Sequence, residues 1–507
     1  MKPTLPAARV PWAMRATIAL FALGLTGAAA AQNVRIQRAS TPARTAEPPA
    51  ATPQRPPTPL PGQSSYIAQM REALLRLAVE HPEVQAARAA ADSSQFAVDA
   101  ARQARYPRLR IGTAAGQYDS GVAGASAQSY RQVTADVRMS LLDGGVMRAR
   151  VEAAEAGSGA QSEAVRSASQ KVVLDALTAY LQVQRYDLKV AIARRSTAVL
   201  GELAHAEQRR VDLGATGQND LRMASARRAG TAARESEFTA LRDEAMAKFE
   251  TYFRLKANPE LLPVLAIPAS WRPATLDEAM RRAEARSSEL GEAQGLVDQA
   301  RKLADLQEAS IYPTVDAVLV RTKDPRGSAV AEPTRAALEL NWNFGSGFDQ
   351  QLRVKTALAE VDRQEARLDG VRLNLRELSA ASWNRAVSGL ERERQLRQAI
   401  DESGRAFAGR RRLLELGRET LPHVLDAQVD HYTLLLDYVD AMADRQVGEF
   451  RLARVTGALW IAPEGDTDWV QRLFDGPPRP ALVDDAALGS CCRARLPVSS
   501  PPGRTRP

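Results

Sequence analysis

The strongest constraint on this chain is that it is written twice. Ala104-Arg-Tyr-Pro-Arg-Leu109 is echoed by Ser310-Ile-Tyr-Pro-Thr-Val315, Leu142-Asp-Gly-Gly145 by Phe344-Gly-Ser-Gly347, and Arg210-Val-Asp-Leu-Gly214 by Leu413-Leu-Glu-Leu-Gly417. The offsets are 206, 202 and 203 residues. Three landmarks in one order at nearly one spacing mark a duplication, so the fold must hold two equivalent halves.

Inside each half the hydrophobic period changes. Between the Tyr-Pro pair and the glycine pair, Val133, Ala135, Val137, Met139 and Leu141 alternate with Gln132, Thr134, Asp136, Arg138 and Ser140. The second copy alternates Ala336, Leu338, Leu340, Trp342 and Phe344 with Ala337, Glu339, Asn341 and Asn343. A period of two over about ten residues is the pattern of a membrane β-strand, apolar towards lipid and polar towards a lumen. Partner strands start at Tyr106-Pro107 and Tyr312-Pro313, where proline ends the preceding helix. The predicted strand pairs are 106–118 with 130–142 and 312–322 with 334–344, joined by turn-rich loops over Asp119–Ser129 and Lys323–Pro333. A soluble hairpin would show the same alternation.

After Gly144/Gly145 and Gly345/Gly347 come long helical patterns, free of proline except for Pro422. Each is interrupted midway, at Gly214/Gly217 and at Gly417, which predicts antiparallel helical hairpins over 145–257 and 347–458. At 1.5 Å per residue, hairpin arms of this length reach about 100 Å. Four strands cannot close a membrane barrel, because the smallest has about eight and an open edge in lipid leaves backbone groups unpaired. The expected fold class is therefore mainly α with a membrane β-barrel part. Each protomer carries two repeats, with long antiparallel hairpins and four transmembrane strands, and protomers assemble into one tunnel.

The ends read differently. Residues 1–31 have a basic start, the apolar run Ala16–Leu25 and an alanine-rich cleavage site, as in a secretory signal peptide. No cysteine follows that site. Residues 32–64 form a linker in which eight of the 21 residues from Thr41 to Pro61 are proline. The repeats span 65–260 and 275–460 around a linker at 261–274, and 461–507, with Cys491 and Cys492, is expected to be a disordered tail.

Helix–Tyr-Pro–strand junctions, Arg-x-x-x-Gly at Arg210–Gly214 and the run Leu416-Gly-Arg-Glu-Thr-Leu-Pro-His-Val-Leu-Asp-Ala-Gln428 resemble the TolC-like outer-membrane efflux and secretion factors. The resemblance covers Ser65 to Leu459. It implies a homotrimer with a twelve-strand outer-membrane barrel and a twelve-helix periplasmic tunnel. It also implies a periplasmic adaptor and an inner-membrane pump, ABC-type or proton-driven. Asp426, Asp220 and His423 would line the periplasmic constriction. His423 stands where the family often has an acid, and Glu419 where a basic residue is common. Leu213, Gly214, Gly217, Leu416 and Gly417 would form the adaptor-docking tips, and Tyr106, Pro107, Gly144, Gly145, Tyr312, Pro313, Gly345 and Gly347 the strand–helix junctions.

Catalytic motifs are absent, and His81, His205, His423 and His431 have no ligand spacing, so neither an enzyme nor a cofactor is expected. The +8 charge comes from arginine interspersed with acid, which argues against a nucleic-acid partner. Arg410–Arg412 and Arg209–Arg210 could pair with Asp220, Glu415 or Asp426. The absent lipidation cysteine leans the reading towards type I protein secretion rather than small-molecule efflux. A trimeric coiled-coil adhesin would place its strands in one terminal block, not in two.

Overall fold

The computed structural model describes residues 62–118, 128–323, 334–346, 349–461 and 468–476. The expected signal peptide, nearly all of the proline-rich linker, most of both strand-joining loops, Gly347 and the Cys491/Cys492 tail lie outside these residues. In chain order the elements are α1 (Gln63–Glu80), α2 (Pro82–Gln103), β1 (Arg108–Tyr118), β2 (Gln128–Leu142), α3 (Val146–Asp212) and α4 (Gln218–Phe253). The second half follows with α5 (Leu276–Arg286), α6 (Ser288–Ala309), β3 (Thr314–Lys323), β4 (Thr334–Asn341), α7 (Gln350–Glu415) and α8 (Leu421–Val455), and α9 (Asp468–Leu473) closes the described chain.

The two strand pairs join into one antiparallel sheet in the order β1-β2-β3-β4, so the halves meet at the β2–β3 ladder. β1 and β3 start at Arg108 and Thr314, two residues later than the sequence pattern suggests. The Tyr106 and Tyr312 amides still close the preceding helices, donating to Gln103 and Ala309 carbonyls at 3.0 and 3.2 Å, and the prolines have no N–H to give. β4 ends at Asn341, before Phe344, because Trp342 turns aside and its indole N–H donates to the Ile311 carbonyl at 3.1 Å. The register puts Leu109, Val137, Leu319 and Ala336 in one row across the sheet, with Ile111, Ala135, Met139, Ala317, Leu338 and Leu340 on the same face. Leu109, Ile111, Leu338 and Leu340 are 66–71% exposed, so this apolar face has no cover within the chain. The opposite face holds an ion cluster, with Arg138 3.2 Å from Glu339 and 3.9 Å from Asp316.

The helical hairpins are unequal. α3 and α7 have 67 and 66 residues and so run about 100 Å, whereas α4 and α8 have 36 and 35 and stop near half that length. The expectation of two full-length arms is corrected here: the remaining length is supplied by α2 beside α3 and by α6 beside α3 and α7. α2 takes over where α4 ends, and His81 stacks on Tyr252 at that join, with ring centroids 5.8 Å apart. Small residues set the α3–α6 spacing. A Cβ on Gly295 would lie 2.9 Å from Ala160 Cβ and 3.0 Å from its Cα, and one on Gly157 would meet the Gln299 amide. Longer polar chains hold the same helices, with Lys302 3.0 Å from Glu152, Arg102 2.6 Å from Glu155 and Arg301 2.6 Å from Glu365.

The main core lies midway along α3. Val172, Val173, Leu177, Tyr180 and Leu181 meet Met70 and Leu74 of α1, Phe249 and Phe253 of α4, and Phe450 of α8. Leu262 and Leu265 from the segment between the halves enter the same cluster, and the Tyr180 hydroxyl and Gln184 amide donate to the Pro263 carbonyl. The tail is not wholly unpacked from residue 461. Ile461, Val470, Leu473 and Phe474 are buried in this core, and the Ala266 amide donates to the Leu473 carbonyl at 2.7 Å. A six-residue helix anchored by Val470 and Leu473, with Phe474 just after it, folds here because it covers the junction of the two halves, and its local sequence gives little sign of that.

Gly295→Leu should force α3 and α6 apart, costing about 1–3 kcal/mol. Gly159→Ala, where an added Cβ meets nothing within 4 Å, should be neutral or stabilising. Thermal unfolding of the purified protein checks both.

Candidate functional sites at the strand junctions and the hairpin tips

Each strand-to-helix junction must redirect the chain sharply, and glycine permits it. Gly144 and Gly145 have φ of +64° and +97°, and a Cβ on Gly144 would come within 2.8 Å of Tyr312 Cβ. The sequence pattern missed Asp143, whose carboxylate accepts from the Gly145 amide at 3.1 Å and the Met147 amide at 2.6 Å and so caps α3. In the second copy Asn343 accepts from the Gly345 amide at 2.8 Å, and Gly345 has φ +68°. Tyr106 and Tyr312, beside Pro107 and Pro313, remain 70% and 60% exposed.

At the far ends the two tips repeat each other bond for bond. The Gly214 amide donates to the Val211 carbonyl at 2.9 Å and the Ala215 amide to Arg210 at 2.8 Å. Gly417 donates to Leu414 at 3.0 Å and Arg418 to Leu413 at 2.9 Å. Both are paired closures of a helix C-terminus around a left-handed residue, at φ +69° and +72°. Gly217 has φ −83° and serves instead as the residue before α4. Leu213 and Leu416 stand 83% and 63% exposed at the extremities, and space is open around both left-handed glycines.

Behind these turns four helices pack on one another. Val199, Leu200 and Leu203 of α3, Ala224 of α4, Phe407 of α7, and Leu421, Val424 and Leu425 of α8 form one buried cluster. The Gln428 amide crosses to the Ser196 hydroxyl at 2.5 Å. Asp426, 60% exposed, pairs with Arg227 of α4 at 3.3 Å. Asp220 and His423 occupy the same place in the two tips, the third residue of α4 and of α8. His423 Nδ1 lies 2.7 Å from Glu419. The imidazole and the Thr420 amide hold the Glu419 carboxyl below the usual carboxylate range. The arginine runs meet the sequence expectation at Glu415 and pair elsewhere with acids it did not name. Arg411 reaches Glu202 of α3 at 3.1 Å and Glu415 at 3.6 Å, while Arg210 pairs with the buried Glu207 at 3.3 Å. The histidines stay apart, with His431 Nδ1 2.9 Å from the Ser403 hydroxyl and burial pushing its imidazole below the usual value.

The tip geometry separates the glycines. Gly214→Ala and Gly417→Ala should each cost about 1 kcal/mol from the left-handed backbone alone, whereas Gly217→Ala should cost far less. Thermal unfolding of the three single variants decides.

The sequence model of the outer membrane efflux protein family matches residues 74–252 and 279–458, one block in each half. Outer membrane efflux protein BepC of Brucella suis biovar 1 is 22% identical over 412 residues, 79% of this chain and 88% of that protein. Among solved structures, the outer-membrane channel OprN superposes with a TM-score of 0.69 at 18% identity, over 80% of this chain and 93% of that one. VceC from Vibrio cholerae gives 0.67 at 15%, over 77% and 96%. A stalk with its strands in one terminal block does not fit a sheet whose strands come in pairs from the two halves. Matched across both copies, the chain belongs to the outer membrane efflux protein family, an outer-membrane channel with its long helices on the periplasmic side.

Proposed function

We propose that three copies of this chain form a continuous export duct that takes cargo from an inner-membrane pump, ABC-type or proton-driven, through a periplasmic adaptor. The observation that carries this is the four-stranded sheet with an uncovered apolar face and free outer edges on β1 and β4. Two copies supply eight strands, a number whose interior side chains fill. Three supply twelve, which leaves a lumen lined by the charged face of the sheet and continued by the α3 and α7 helices. Adaptor contact belongs at Leu213 and Leu416, because each tip offers an exposed leucine beside backbone that a partner helix can approach closely.

Asp426, Asp220 and His423 ring the periplasmic mouth in this reading. Threefold symmetry would gather three copies of each carboxylate, which attracts cations. In planar bilayers, Asp426→Ala should shift the reversal potential in a salt gradient towards lower cation selectivity. An unchanged potential would place Asp426 off the pore.

The cargo reading that follows from the sequence is a secreted polypeptide. The relative from Brucella suis, an outer membrane efflux protein, favours a second, a small molecule. In a strain lacking the chain, a polypeptide missing from the medium supports the first, and retention of a dye or drug with an unchanged secreted-protein profile supports the second. Complementation with Leu213→Asp/Leu416→Asp should restore membrane-inserted trimers but neither adaptor crosslinking nor export. Normal export by that variant would move the adaptor elsewhere.

A further inference from the structure

The two faces of the sheet divide their charges unequally. Among the described strand residues, all three carboxylates, Asp136, Asp316 and Glu339, lie on the polar face, together with Arg108, Arg110, Arg138 and Arg335. The apolar face carries no carboxylate but three cations. Lys323 stands opposite Val133, Arg321 opposite Ala135, and Arg131 two residues beyond Val133, opposite Ala115. All three lie at the end of the sheet away from the helices, all are exposed, and none has an ion pair among the described residues. Arg321 and Lys323 are about 7 Å apart along β3, and Arg131 on β2, two residues past the partner of Lys323, is about 8 Å from Lys323 and about 14 Å from Arg321. Lys323 can therefore share one phosphate group with either arginine, and the three long side chains together can reach an adjacent pair.

The other rim of the same face is chemically different. Just past the end of β4 stand Trp342 and Phe344, whose ring centroids are 4.8 Å apart, an aromatic pair of the kind that seats at a membrane interface. One rim is thus aromatic and the other cationic. Among the described residues the cations have no counter-charge on their own face, and an anionic headgroup of the surrounding membrane would supply one. Immediately inward lie Leu109, Ile111, Val133, Val137 and Leu319, a surface for acyl chains.

We propose that Arg131, Arg321 and Lys323 bind the phosphorylated headgroup of an outer-leaflet lipid whose acyl chains lie on the apolar face below. The leaflet follows from the periplasmic position of the helices, which leave the strands at the opposite end. The proposal rests on the reading of the sheet as a lipid-facing barrel wall. Snorkelling of the three side chains into water alone would give no preference among lipids.

The test reconstitutes the full-length protein in phosphatidylcholine vesicles containing about one-fifth phosphatidic acid, a phosphate probe, and measures by mass spectrometry the lipid retained after mild extraction. Phosphatidic acid should be enriched at least about tenfold on the native protein. The enrichment should vanish in Arg131→Ala/Arg321→Ala/Lys323→Ala and persist in Arg110→Ala/Arg335→Ala, which removes cations from the other face. Native protein without enrichment overturns the site, and so does equal loss in both variants. Vesicle flotation is scored first: native protein that fails to insert refutes the barrel wall itself, whereas insertion without enrichment refutes only the lipid site. If the triple variant does not insert, the three single Arg131→Gln, Arg321→Gln and Lys323→Gln variants decide, each expected to lose several-fold in enrichment, with no loss in any of them overturning the site.

Discussion

A β-strand at the edge of a sheet leaves every second backbone N–H and C=O without a partner, and in the hydrocarbon of a membrane there is no water to take their place. Each such group costs several kcal/mol. β1, with 11 residues, and β4, with 8, are the outer strands of the sheet, and the face between them is apolar and uncovered. An isolated copy therefore cannot rest in lipid. The requirement that β1 of one copy find β4 of another turns a four-stranded fragment into part of a closed wall, and the helices that follow the strands must then lie side by side as a second, narrower wall.

The duplication serves that closure. Because each half delivers a strand pair and a long helix, the β2–β3 ladder within a chain is the counterpart, by the repeat, of the β4–β1 ladder that the proposed closure requires between chains. The two halves repeat even in their turns, as the paired closures at Gly214 and Gly417 show. They differ where chemistry is added. Asp220 in one tip is His423 in the other, and Asp426, salt-bridged to Arg227, has Met223 at the matching place. Substitution at a repeated geometry changes the charge of the tip without disturbing the turn that positions it.

Much of this was legible in the sequence, for identifiable reasons. The strands were legible because lipid on one side and water on the other impose strict alternation, and the tips because only glycine adopts the left-handed turn at little cost. The β2–β3 pairing was not, since strands whose facing ends, Leu142 and Thr314, are 172 residues apart carry no local mark of their neighbour. The bounds of α4 and α8 were legible, but the length of about 100 Å was assigned to both arms of each hairpin, and that α2 and α6 complete the shorter arm is set by packing, which period alone does not report. Residues 468–476 read as tail because nearby prolines and glycines outweighed three apolar anchors whose partners lie in α1, α3 and the inter-repeat segment. Among the candidate site residues, the left-handed Gly214 and Gly417 and the Arg411–Glu415 pair were legible, and the charge partners on other helices were not. Arg227 and Glu202 are single charges among many on helix surfaces, and only the packing of α3, α4, α7 and α8 reveals which ones meet.

The claim that copies close edge to edge can be tested by oxidative crosslinking. Within one chain β1 and β4 are three strands apart, about 14 Å, beyond the roughly 7 Å that a disulfide spans. In a Cys491→Ser/Cys492→Ser background, Ile111→Cys is combined in turn with Ala336→Cys, Leu338→Cys and Leu340→Cys, and membranes are oxidised before denaturing electrophoresis. The account predicts that one register gives covalent dimers and trimers and nothing larger, and that both cysteines are needed. Absence of crosslinks at all three registers, or a ladder extending past the trimer, would contradict it.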